Sequence, residues 1–202
     1  MSLYYSPPET ITTPSGEYSI NTDFRAWIRF QRIVLSSGSN EQKADKIIAF
    51  MTEMGVPFSV ESFRAILDFY IGKPGEKATQ NRKSAAAFDF DQDSEYIFAA
   101  FLETYGIDLA TEKLHWWKFL ALFKSLPDGC KIKEIMHYRV ADLSKIPKDR
   151  RKYYAEMKKL YALDNGAAKG GKTLREHVEA LKKAQEENRM STLRSSEQSS
   201  VD

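Results

Sequence analysis

Cysteine is nearly absent: Cys130 stands alone in 202 residues, so no internal disulfide can form. A fold of this size needs none, because a domain of about 150 residues buries about 70% of its unfolded surface. Only three histidines occur, too few and too scattered to mark a metal site. Long apolar runs are missing as well, and no stretch approaches the roughly 18 residues that cross a bilayer. The opening MSLYYSPPETITTPSGEYS has no basic region followed by an apolar one, so no secretory signal is expected. Alternation of apolar and polar residues never persists beyond a few positions, which argues against a sheet protein. No internal repeat is present either.

The residues that are present suit a soluble helical protein. Apolar residues make up 42% and charged residues 29%, ordinary values for one globular domain with a tail. Net charge is only +2, but Lys131 to Arg194 carries a local +8 and the 130 residues before it a local −4. Such asymmetry can draw an acidic partner. Helices with solvated Lys/Glu faces explain it equally well and are the plainer reading.

Along the chain, residues 1–20 hold Pro7, Pro8, Pro14 and Gly16 and read as an extended arm. Asn21 or Thr22 can cap a first helix with Phe24, Trp27, Ile28, Gln31, Val34 and Leu35 on one stripe. A second helix, from about Glu41 to Met54, turns Ala44, Ile47, Ile48 and Met51 inward and ends at Gly55 and Pro57. Ser59 caps a third, with Phe63, Ile66, Leu67 and Tyr70 inside. After a loop opened by Gly72-Lys73-Pro74-Gly75, Asp93 or Ser94 starts a helix carrying Ile97, Phe98, Phe101 and Leu102, which Gly106 terminates. Thr111 and Glu112 are expected to start the central helix, EKLHWWKFLALFKSLP, apolar on nearly all sides. Two more follow, over about Lys131–Arg139 and, opened by Pro147, about Lys148–Leu163. The pattern predicts an all-α fold: a compact multi-helix domain over 21–163, a hinge and separable amphipathic helix over 164–190, and a disordered tail over 191–202. Leu174, Val178 and Leu181 form the narrow stripe of that last helix.

Several motifs invite sharper readings. Gly166-Ala167-Ala168-Lys169-Gly170-Gly171-Lys172-Thr173 satisfies the phosphate-loop pattern, but that loop follows a buried parallel strand. Here the preceding KYYAEMKKLYALDN has helical period, and about 30 residues remain afterwards. The match is read as a Gly/Lys hinge, and a nucleotide-hydrolysing enzyme using Lys172 is the rejected alternative. Asp89, Asp91 and Asp93 open like a calcium loop, but Ser94 stands where glycine is needed and Ala100 where a bidentate glutamate is needed. They read as carboxylates before a helix N-terminus. His115, His137 and His177 lie on separate helices, and Cys130 has no evident catalytic partner. KIPKDRRKYYAEMKK could grip a phosphate backbone. Asp149 and Glu156 dilute its charge, so a solvated face with Tyr153 and Tyr154 turned inward is preferred, and no nucleic acid is expected as a partner. No enzymatic activity, cofactor or metal is expected.

Two stretches, FDFDQDSEYIFAAFLETYGIDL and LHWWKFLALFKSLPDGCKIKEIMHYR, together with NTDFRAWIRFQ, resemble a family of small proteins from long-tailed phages and prophages of Gram-positive bacteria. The resemblance runs from about Asn21 to Tyr161. It implies a gene between those of the major tail protein and the tape-measure protein, and hence a tail assembly chaperone. Such a protein binds the tape measure in the host cytoplasm, is helical and non-enzymatic, and leaves the finished virion. A structural tail or connector protein retained in the particle is the alternative. Trp116 and Trp117 point about 100° apart on a helix, so they need not serve one core. One of them, or the Leu174/Val178/Leu181 stripe, is the expected contact with the tape measure or with a second copy of the chain.

Overall fold

The structure is a computed structural model that describes residues 6–36, 38–72 and 87–164. The described residues form two compact units. Pro8–Asn21 and Ala26–Gly72 make the first; Thr22–Arg25 and residues 87–164 belong to the second. The predicted last helix and tail, including Leu174, Val178 and Leu181, lie outside the described residues, as do His177 and the phosphate-loop match.

The predicted extended arm is largely a β-hairpin. β1 (Thr10–Thr13) pairs antiparallel with β2 (Gly16–Ser19), Ile11 opposite Tyr18 and Thr13 opposite Gly16. Pro14 at the second turn position presets φ, and Gly16 at the fourth adopts φ +139°, which an L side chain resists. Alternation over only four residues escapes a periodicity search, yet it buries Ile11 and Thr13 together.

Three helices complete the first unit: most of α1 (Phe24–Leu35), then α2 (Asn40–Glu53) and α3 (Val60–Ile71), with β1 lying against α3. A reciprocal cap starts α2, in which Ser39 Oγ accepts from the Gln42 amide at 3.2 Å and Gln42 Oε1 from the Ser39 amide at 3.3 Å. Ser59 Oγ caps α3 as expected, accepting from the Ser62 amide at 3.0 Å. Gly55, at φ +72°, turns the chain out of α2. The core is aromatic: Trp27 meets Phe30, Phe50, Phe69 and Tyr70 at centroid distances of 4.5–6.3 Å. Phe50 and Phe30, 5.0 Å apart, set the rotation of α2, so its buried residues are Lys43, Ile47, Phe50 and Met51, not the expected Ala44 and Ile48.

Burial also acts on Tyr70, holding its phenol well above the ordinary value near 10 because a phenolate is poorly solvated there. The unfolded chain releases that proton near pH 10. Stability is therefore insensitive to this group below pH 10 and falls above it, by about 1.4 kcal/mol per pH unit. Urea unfolding between pH 9 and 11 should show this loss, and Tyr70→Phe should flatten it. An equal slope in both proteins would mean that Tyr70 is not the group responsible.

In the second unit are α4 (Ser94–Tyr105), α5 (Trp116–Lys124), α6 (Lys131–Val140) and α7 (Lys148–Leu160). Gly106 ends α4 in the left-handed region, as its position predicts. The predicted central helix begins later than Thr111. The Phe24 amide donates to the Leu114 carbonyl at 2.9 Å and the Trp116 amide to the Thr22 carbonyl at 2.7 Å. That extended pairing occupies backbone groups a helix would need, so α5 starts at Trp116, capped by His115 Nδ1. The same pairing moves the start of α1: Asp23 Oδ1, not Asn21 or Thr22, accepts the Arg25 amide at 3.0 Å. Phe119 stacks with Phe24 at 4.6 Å and with Phe101 at 5.2 Å, at the centre of the unit's core.

Candidate functional site

α6 buries Ile132, Ile135 and Arg139, at spacings of three and four. An arginine on that stripe requires a buried partner. Asp93 supplies it: Arg139 Nη1 and Nη2 reach its two carboxylate oxygens at 2.6 and 2.8 Å. The guanidinium also donates to the Ala87 carbonyl at 3.2 Å and, through Nε, to the Tyr161 carbonyl at 2.5 Å. Asp93 thus makes no side-chain cap for α4, the role its position suggests. Asp89 serves the turn before it, its Oδ1 accepting from the Asp91 and Gln92 amides at 2.9 Å each.

Around that ion pair, α6 and α7 carry a cluster of tyrosines. Tyr138 contacts Tyr154 edge-on at 5.4 Å, Tyr153 edge-on at 6.1 Å and Tyr161 in a stack at 6.4 Å. The Tyr153 hydroxyl, 3.5 Å from that of Tyr138, is the main reason the Tyr138 phenol is pushed up to about 12, with partial desolvation second. His137 Nε2 lies 3.4 Å from the Tyr154 hydroxyl.

α7 itself buries no residue. The tyrosine contacts and polar tethers hold it instead: Lys158 Nζ donates to the Ala141 carbonyl at 2.8 Å, Arg151 Nη2 to the Ile146 carbonyl at 3.1 Å, and Arg139 holds Tyr161 just past its end. Its outer side leaves Tyr153 51% and Leu160 66% exposed, seven residues apart and hence on one stripe. Tyr153 and Tyr154 are both expected inward, but only Tyr154 is half-buried. Exposed Asp149, Arg150 and Glu156, three or four residues from Tyr153, flank the stripe with charges of both signs. An exposed tyrosine and leucine on one stripe suit a protein-binding surface, because tyrosine offers large contact area at low entropic cost.

The sequence-predicted contact residues fall elsewhere. Trp116 is 1% exposed, stacked on Phe119 at 5.9 Å with Phe90 edge-on at 6.3 Å, so its ring serves the core. Trp117 is half-buried beside the His115 ring. Cys130, half-buried, occupies the N-cap position of α6. The described helices include none long and apolar enough to cross a membrane.

A family model described as "Bacteriophage Gp15 protein" matches residues 8–163, a span that takes in the hairpin, the seven helices of the described residues and the tyrosine surface. The chain belongs to the bacteriophage Gp15 protein family. The match begins upstream of the stretches that carried the resemblance, so in this Gp15 family member the hairpin is part of the family's unit. It stops before Asp164, leaving the Leu174/Val178/Leu181 stripe beyond it. Neither a curated protein nor a solved structure matches the sequence.

Proposed function

We propose that this phage protein works in tail morphogenesis as a non-enzymatic assembly chaperone that binds the tape-measure protein through the α6–α7 surface. The observation that carries the reading is α7: a helix that buries none of its own residues while presenting Tyr153 and Leu160 to solvent. Such a surface gains stability when a partner covers it. Family membership supports a phage role, and the resemblance of the segments around His115-Trp116-Trp117 to tail proteins encoded beside the tape measure supports the partner. A tape measure is a long amphipathic helix that would self-associate if bare, and covering the apolar face of such a helix is a recurring mode of protein recognition.

Co-expression with the tape-measure protein of the same genome tests this. The tape measure should become soluble and be captured with the chain, and Leu160→Glu with Tyr153→Ala should reduce capture at least tenfold, about 1.4 kcal/mol. An insoluble tape measure with nothing captured would sink the chaperone reading. Detection of the chain in purified particles would then favour a structural tail or connector protein.

A further inference from the structure

Between the α5–α6 turn and α7 lies a cavity of about 450 Å³, lined by Asp128, Lys133, Glu134, His137, Tyr138 and Tyr154. One side of it is aromatic. His137 meets Tyr154 at 79° and 5.7 Å, Tyr138 meets Tyr154 at 79° and 5.4 Å, and His137 meets Tyr138 at 62° and 6.1 Å. These are edge-to-face contacts, so the three rings form one packed cluster along the cavity. Ring faces carry the negative end of the quadrupole.

The charged groups favour the same occupant. Lys133 sends its ammonium to the Lys124 carbonyl, 3.1 Å away at the C-terminal end of α5, where the helix dipole holds a cation. Glu134 Oε2 shares an exposed 3.6 Å contact with Lys131 Nζ. That is longer than a charge-assisted hydrogen bond of about 2.8 Å, so it is readily exchanged. Asp128, exposed on the turn, has no ion-pair partner among the described residues. The surface already seats a cation on a tyrosine nearby, with Lys131 Nζ 5.1 Å from the Tyr161 ring centroid.

We infer that this cavity is a recognition pocket for an arginine side chain of a partner protein. A guanidinium is planar and weakly hydrated, so it stacks on ring faces while its edge donates to carboxylates, which a compact ammonium does less well. The inference concerns the pocket's chemistry and stands whether or not the partner is a tape measure.

The test uses the full chain and the peptide acetyl-Gly-Arg-Gly-amide, with citrulline or lysine analogues as controls, followed by NMR of the aromatic side chains. The arginine peptide should produce saturable shifts of the His137, Tyr138 and Tyr154 rings at millimolar concentration. The neutral citrulline peptide should bind at least about tenfold more weakly, and the lysine peptide about threefold more weakly. Glu134→Gln, a surface change that leaves the core intact, should weaken arginine binding about threefold. Identical shifts with arginine and citrulline, equal binding of lysine, or no ring movement up to about 50 mM would each overturn the assignment.

Discussion

Arg139→Ala is expected to lower the stability of the second unit by about 3–5 kcal/mol, because it strands the Asp93 carboxylate in the core. Asp93 is 1% exposed and the Arg139 side chain 8%, so water cannot take over the lost bonds. Lysine does not substitute. One ammonium cannot present the planar fork that serves both carboxylate oxygens together with the Ala87 and Tyr161 carbonyls. The paired replacement Asp93→Leu with Arg139→Met should recover much of the loss, since removing both charges leaves no ion unpaired. Recovery will be incomplete, because the two carbonyls still lose their donor. Urea unfolding followed by circular dichroism measures all three proteins. A single-mutant loss below about 1 kcal/mol would mean that the pair is solvated and contributes little.

Trp27→Ala should cost the first unit a similar amount, about 3–5 kcal/mol. The indole is fully buried among four aromatic rings, and its Nε1 donates to the Asn21 carbonyl at 2.9 Å. Alanine would remove the ring from the centre of that cluster and leave an acceptor unpaired. Trp27→Phe keeps part of the packing and should lose less. Half-buried Trp117 is the internal control, and Trp117→Ala should cost about 1 kcal/mol, the ordinary scale for a point mutation. Equal losses for Trp27→Ala and Trp117→Ala would contradict the central place of Trp27.

Helices were legible where caps and apolar stripes agreed. Ser59 with Phe63, Ile66, Leu67 and Tyr70 places α3 both in position and in rotation. Rotation was lost at α2 because Ile48 and Phe50 are equally plausible inward residues until the rings of Trp27 and Phe30 are in place. Pairing of the backbone around Leu114 with Thr22–Phe24 is a long-range event, and local propensity at Thr111 contains nothing of it. The candidate surface was only partly readable. Tyr153 and Tyr154 were visible, but which of them faces out depends on α7 having no core to enter. Arg139 did carry a signal: in KIKEIMHYRV it continues the spacing of Ile132 and Ile135, and a cation on an apolar stripe implies a hidden anion.

A helix fixed by a few polar bonds and by tyrosine edges against its neighbour, with none of its residues sealed in the interior, can shift its path at little energetic cost to the core beneath. α7 is built this way, and local openings of such elements lie at the low end of a protein's free-energy scale. Its tyrosine face can therefore adjust its contour to whatever covers it.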